Sequence, residues 1–225
     1  MKAIRRMRRK ASTIRGRPKA LRAGNKEFVQ MDKGAQDKKE LISRVALDLF
    51  AKKGFSVTAM RDIAKAGKVN IALIYYYFED KEEILYHVVQ RSFRELISIL
   101  KEVQEQEKDS FECLKRMIIR QVVFTSQTWK ETKLIVMDVD NIHGQRKSDI
   151  KKLEREIYDI YMAQLQRLKE VDSLGDVNPT VINFAIFGMM SWFYRWYLKG
   201  KSLTPEDVAN EMLKLLECGI LKRKK

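Results

Sequence analysis

The segment Thr58–Lys81, TAMRDIAKAGKVNIALIYYYFEDK, constrains this 225-residue chain more than any other. It holds two short helical runs separated only by a turn at Gly67-Lys68. Neither run is long enough to be stable alone, and the apolar residues between them are too few for an independent core. The spacing predicts a first helix capped by Thr58 and running through Ala66, with the hydroxyl accepting a free backbone N–H. It predicts a second helix capped by Asn70 and running through Phe78. Two short helices held at a fixed angle by a tight turn form a helix-turn-helix, an arrangement that lays its second helix in the major groove of DNA.

The same helical reading extends along the chain. Before the motif, Leu41, Ile42, Val45, Ala46, Leu49 and Phe50 recur at three-to-four spacing from Asp37, and Gly54 ends the run. After it, Asp80 caps a long helix from Lys81 past Leu100. Asp109 and Glu112 have capping-box spacing ahead of Leu114, Ile118 and Val122. A short helix is expected over Lys133–Asn141 and a longer one from about Lys147 to Glu170. Asn178-Pro179 opens a helix expected to reach Gly200, and Thr204-Pro205 opens a last one to about Cys218. No stretch sustains strand alternation, so the fold class is all-α.

Charge is concentrated at the ends. The chain carries +15 in total; residues 1–36 hold twelve Lys/Arg against Glu27 and Asp32, and the tail 222–225 is Lys-Arg-Lys-Lys. The body between is nearly neutral, which is the electrostatic pattern of a nucleic-acid binder. A solubilising tail, or an extension upstream of an alternative start at Met31, would give the same charge. Residues 1–36 lack apolar periodicity and are expected to be a disordered arm. Cys113 and Cys218 have no paired spacing, and His87 and His143 are isolated, so neither a disulfide nor a metal site is expected. With no signal peptide, and with Arg195 interrupting the one long apolar run, a cytoplasmic protein without a membrane span is expected.

Leu49-Phe50-Ala51, Gly54-Phe55, Thr58, Ile63-Ala64, Val69, Tyr75, Tyr77-Phe78, Lys81 and Leu85 stand in fixed order over residues 40–85. This pattern resembles the TetR/AcrR family of bacterial transcription regulators. The resemblance implies an N-terminal three-helix helix-turn-helix domain, over residues 37–85, followed by an effector-binding and dimerisation domain over 86–221. It places no catalytic residue and no cofactor, and the sequence has no phosphate-binding glycine loop or nucleophile–base motif. Beyond residue 90 it is carried mainly by the number and length of helices.

Phe50, Phe55, Ile63, Ala64, Val69, Ile74 and Phe78 are expected to form the small core of the motif. In the first turn of the recognition helix, Asn70 can bond adenine in a bidentate fashion, while Ile71 and Ala72 can meet thymine methyls. Leu73 faces either the bases or the core. Tyr75, Tyr76, Tyr77 and Lys81 correspond to family positions that contact phosphates or flank bases; a packed aromatic cluster is the other reading, with Tyr75 the most structural of the three tyrosines. Thr58 and the start of its helix can also hold a phosphate. Lys68 completes the set, standing where the family usually has glycine in an Ala-Gly-Val turn; a left-handed conformation there would cost about 1 kcal/mol. Arg15-Gly16-Arg17-Pro18-Lys19 looks like an AT-hook core, with Arg15 and Arg17 entering an A·T-rich minor groove.

The helix from Pro179 is apolar around nearly its whole circumference, more than one subunit can cover. Pairing of the last two helices across a two-fold axis would give a homodimer with two recognition helices about 34 Å apart, matching a palindromic double-stranded operator. The segment 191–220 resembles acyl-CoA-responsive members, which implies a small hydrophobic or acyl-CoA effector. Phe124, Trp129, Met137, Tyr158, Tyr161, Met162 and Trp192 can line an apolar pocket. Arg195 can meet a CoA phosphate or ligand carboxylate, or else pair with Asp138 or Asp140. The expected function is a ligand-released repressor; the alternative is a constitutive architectural DNA-binding protein whose helical domain only dimerises.

Overall fold

The computed structural model describes residues 20–171, 174, 176–197 and 202–219, with side chains placed for 34, 36–171, 174, 176–197 and 202–217. The chain divides into two compact units, Met1–Glu40 and Leu41–Lys225. The described part of the first is the beginning of α1. Nine α-helices make up the described residues: α1 (Ala20–Lys53), α2 (Met60–Gly67), α3 (Ile71–Tyr77), α4 (Lys81–Gln106), α5 (Ser110–Gln127), α6 (Trp129–Met137), α7 (Gly144–Glu170), α8 (Pro179–Trp196) and α9 (Pro205–Gly219). A 3₁₀ turn, Val139–Asn141, joins α6 to α7.

Short-range capping explains most of the boundaries. Asn70 Oδ1 accepts the Ala72 N–H at 2.8 Å, Asp80 Oδ1 that of Glu83 at 2.6 Å, and Asn178 Oδ1 that of Thr180 at 2.9 Å. Asp109 Oδ1 accepts from both Phe111 and Glu112. At α9 the Thr204 hydroxyl and the Asp207 carboxylate cap each other's backbone N–H groups. Each bond satisfies a donor that the helix itself leaves unpaired.

Several expected boundaries are corrected. α1 begins at Ala20 and not at Asp37, so it takes in residues 20–36 of the basic arm. Thr58 does not cap α2. Its hydroxyl turns inward and donates to the Gly54 carbonyl at 2.8 Å, Ala59 takes the N-cap position, and Asp62 reaches back to the Ala59 N–H at 3.0 Å. The short helix expected over Lys133–Asn141 is α6 plus the 3₁₀ turn, because α6 starts at Trp129. α7 starts at Gly144, and α8 ends at Trp196.

The core of the motif is as expected: Phe50, Phe55, Ile63, Ala64, Ile74 and Phe78 are buried, and Val69 is half-buried against them. That core does not close on itself. α4 adds Ile84, Leu85, Val88 and Val89, and one continuous apolar cluster runs on to Leu216 in α9. Three helices of this size bury too little surface to stand alone. α4 is therefore both the floor of the helix-turn-helix and the first helix of the C-terminal part.

The turn between α2 and α3 carries strain. Lys68 has φ 52° and ψ 39°, the one non-glycine residue with positive φ among those described. Gly67 is an ordinary helical residue, and a Cβ there would meet Val69 and Val45 at no less than 3.6 Å. The glycine is one place early for the position that needs it. Exchanging the pair, Gly67→Ala with Lys68→Gly, is expected to raise stability by about 1 kcal/mol. Denaturant unfolding checks this, and an unchanged or lowered midpoint would contradict it.

Candidate nucleic-acid interface

α3 divides cleanly into two faces. Ala72, Tyr75 and Tyr76, at i, i+3 and i+4, are exposed, with Tyr76 the most open at 78%. Ile74 is buried, and Ile71 and Tyr77 are half-buried against the core. Tyr77 is thus the structural tyrosine, in place of Tyr75, which is 54% exposed. Tyr76 packs edge-on against Tyr77 at 4.9 Å between ring centroids. Ile71 is turned toward the core, so Ala72 alone of the expected apolar pair lies fully on the open face.

Asn70 is exposed just ahead of α3, but its Oδ1 is engaged in the helix cap. A bidentate bond to adenine needs both Oδ1 as acceptor and Nδ2 as donor. The cap leaves Nδ2 free and shares the acceptor, so direct reading by this side chain is narrower than the sequence implies.

Two expected phosphate ligands are committed elsewhere. Thr58 is buried, with its hydroxyl proton on Gly54. Lys81 Nζ donates to the carbonyls of Phe55, at 2.7 Å, and Ser56, at 3.1 Å, and lies 4.4 Å from the Phe55 ring centroid. Desolvation lowers the Lys81 pKa, partly offset by the charge of Asp138. Sequence reasoning missed a set of exposed cations near the motif: Lys52 and Lys53 at the end of α1, and Arg61 and Lys65 on α2, beside Lys68 in the turn. Charge in the last turn of a helix that precedes the motif was the signal available for the first two. Arg15 and Arg17 lie outside the described residues.

Polar ties connect this unit to the C-terminal helices. Lys133 Nζ donates to the Ala51 carbonyl at 2.6 Å, Lys130 pairs with Asp48, and Asp138 faces Lys81. From the start of α7, His143 donates its backbone N–H to Glu82 at 3.0 Å and places Nδ1 3.1 Å from the same carboxylate. The backbone hydrogen bond from His143 is the main reason the Glu82 pKa is lowered.

The eight residues expected to line a ligand pocket differ in their exposure. Phe124 and Tyr161 are packed in the core, and Tyr161 donates to Gln121 Oε1 at 2.8 Å. Burial pushes the Tyr161 phenol far above its ordinary pKa. Tyr158 and Met162 are half-buried on α7, while Trp129 and Met137 are exposed at the two ends of α6. Trp192 is exposed on α8 with the Arg195 guanidinium 4.8 Å from its ring centroid. The expected pairing of Arg195 with Asp138 or Asp140 is corrected: Asp140 bonds Lys147 at 3.0 Å, and Asp138 faces Lys81 and Lys133. Among the described residues there is no cluster of three or more metal-ligating side chains, and no helix long and apolar enough to cross a membrane.

A short helix offering one small and two phenolic side chains, supported by a second short helix and flanked by exposed cations, defines a helix-turn-helix DNA-binding protein with a helical C-terminal part. A family model for bacterial regulatory proteins of the tetR family matches residues 42–88, and one for the tetracyclin repressor-like C-terminal domain matches 107–220. The chain belongs to the TetR family of transcriptional regulators, which are DNA-binding proteins and not enzymes. The HTH-type transcriptional repressor KstR2 of Rhodococcus jostii (strain RHA1) is 22% identical over 179 residues, 78% of this chain and 87% of the relative. The ketosteroid transcriptional regulator KstR2 of Mycobacterium tuberculosis superposes with a TM-score of 0.77 at 19% identity, covering 83% of this chain and 96% of that one. AibR, solved in complex with isovaleryl coenzyme A and operator DNA, superposes with a TM-score of 0.73 at 23% identity, covering 79% and 96%. At these identities the structural likenesses establish the fold.

The geometry separates exposed cations such as Arg61 from cations bonded within the fold such as Lys81. Arg61→Gln is expected to reduce the salt dependence of DNA binding by about one unit of slope. Lys81→Met should leave the slope unchanged and cost about 1–3 kcal/mol of stability, because two hydrogen bonds from a charged donor to the turn after α1 are lost. Titrations at several salt concentrations, with denaturant unfolding alongside, read both; the reverse pattern would contradict the assignment.

Proposed function

We propose that the chain is a repressor that binds a palindromic operator as a homodimer and is released by a small hydrophobic or acyl-CoA effector. In this reading residues 37–85 form the DNA-binding domain and 86–221 the effector and dimerisation domain. The basic segments 1–36 and 222–225 add charge, with Arg15 and Arg17 in the minor groove. On the exposed face of α3, Asn70, Ala72, Tyr75 and Tyr76 meet the operator, and Lys68 stands at the turn beside them. Repression is carried out in the cytoplasm.

The observation that carries the dimer is the outer face of α8. Val181, Phe184, Trp192 and Trp196 are all about half exposed or more, and Leu215 of α9 is 69% exposed. Met189, Trp192 and Trp196 of α8 and Val208, Met212 and Leu215 of α9 line an apolar groove of about 560 Å³ with Gly188 at its edge. An apolar patch of this extent on a DNA-binding protein calls for a partner surface, and a second copy supplies one related by two-fold symmetry. The acyl-CoA class of effector is supported by the likeness to AibR, whose structure holds isovaleryl coenzyme A. A second reading, a constitutive DNA-binding dimer, is favoured by the packing of Phe124 and Tyr161 into the core.

Selection of bound fragments from a random DNA library, followed by competition with a panel of acyl-CoAs and free acids, tests this. An enriched inverted repeat released by one member of the panel is expected. An inverted repeat that no member releases would favour the constitutive reading, and no enrichment would contradict both.

Gly188 gives the dimer a test of sign. Nothing lies within 4 Å of a Cβ built there, so within one protomer alanine would stabilise α8 by about 0.5–1 kcal/mol. With a second helix seated on that face, the added methyl group instead crowds the contact. Gly188→Ala is expected to raise the dimer dissociation constant in sedimentation equilibrium; a tighter or unchanged dimer would contradict a contact at this position.

A further inference from the structure

Arg146, in the first turn of α7, occupies an unusual position among the polar ties. Its Nη1 bonds Asp80 Oδ1 at 3.2 Å and Oδ2 at 3.1 Å, and its Nη2 bonds Glu79 Oε2 at 3.0 Å. Glu82 and Glu83 stand 3.8 and 3.7 Å away. The guanidinium side chain is only 25% exposed. Four carboxylates within five residues thus converge on one cation from another part of the chain.

Those carboxylates are the ones that build the junction between α3 and α4. Asp80 caps α4, and Glu83 Oε2 accepts the Glu79 N–H at 2.6 Å. Glu79 follows Phe78, whose N–H closes the last turn of α3 on the Ile74 carbonyl at 2.9 Å. Only Phe78 intervenes between the end of the recognition helix and the first carboxylate that Arg146 holds. A planar guanidinium fixes direction as well as distance, which an ammonium in its place would not. The charge also matters: the neighbouring basic side chains are Lys81, committed to backbone carbonyls, and His143, on Glu82. Removing Arg146 leaves the carboxylates repelling one another at the base of α3.

We propose that Arg146 is the positioning residue through which the C-terminal helices set the recognition helix. The guanidinium ties α7 to Glu79 and Asp80 at the α3–α4 junction, while His143 ties it to Glu82 within α4, and displacement of α7 is delivered to α3 through Arg146. Arg146 itself makes no contact with DNA. The inference rests on α3 being the recognition helix.

The test uses the full-length protein with Arg146→Met, Arg146→Lys and, as control, Lys147→Met, which removes the neighbouring ion pair to Asp140. Hydrogen exchange of the backbone amides is measured by residue. Arg146→Met is expected to speed exchange at Ile74–Phe78 at least tenfold while the amides of α5 and α9 keep their rates. Arg146→Lys should restore part of the protection, and Lys147→Met should match the parent. Binding to a fragment from the library selection should weaken at least tenfold in Arg146→Met at unchanged salt slope. Faster exchange spread evenly over α5 and α9, or no change at α3, would overturn the proposal. So would a salt slope reduced by about one unit, which would make Arg146 a phosphate ligand. Should selection enrich no DNA, the DNA-binding reading fails, while the exchange measurement still decides whether Arg146 holds α3.

Discussion

Two lysines from beyond the recognition helix tie down the backbone where α1 ends and the turn into α2 begins. Lys133 reaches from α6 to the Ala51 carbonyl, and Lys81 from α4 to those of Phe55 and Ser56. An unpaired carbonyl at a packed helix end costs about as much as a lost hydrogen bond. The C-terminal helices therefore complete the motif as well as supporting it. The same dependence appears in the core, which continues without a break from Phe50 and Phe78 through α4 into α5 and α7. Any change of state in the C-terminal helices acts on residues that the motif needs for its own shape.

This arrangement narrows the role of the recognition helix. Its open face presents a methyl group and two phenols, and the amide best suited to reading adenine is already its cap. Hydroxyl and ammonium groups around it suit phosphate contacts, which position a protein on DNA without reading sequence. In the proposed reading, specificity depends on how two copies are spaced and on the basic segments as much as on base edges. The strained Lys68 fits this picture, since it puts a cation at the entrance to α3 at a conformational cost that glycine would avoid.

What could be read from sequence was what short-range chemistry decides. Asn70, Asp80, Asp109 and Asn178 cap the helices they were expected to cap, because each bonds a backbone group two or three residues on. The left-handed Lys68 was legible for the same reason. Thr58 was not: its hydroxyl can reach an amide ahead or a carbonyl behind, and burial of the side chain selected the Gly54 carbonyl. Lys81 and Arg146 were beyond reach, since their partners lie 26 and 66 residues away. The exposure of the expected pocket residues was not legible either. Aromatic residues at helical spacing give no indication of which will face a core, a neighbour or solvent, and Trp192 and Tyr161 ended on opposite sides of that division.

The central claim is that dimeric C-terminal helices set the position of two recognition helices and that an effector changes it. The most direct measurement is the distance between spin labels placed at position 76 of the two copies, in the free protein, with the selected DNA, and with the acyl-CoA that releases it. The account predicts a narrow distribution with DNA, consistent with recognition helices about 34 Å apart, and a displaced one with the effector. Identical distributions with DNA and with the effector, or no intermolecular distance at all, would contradict it.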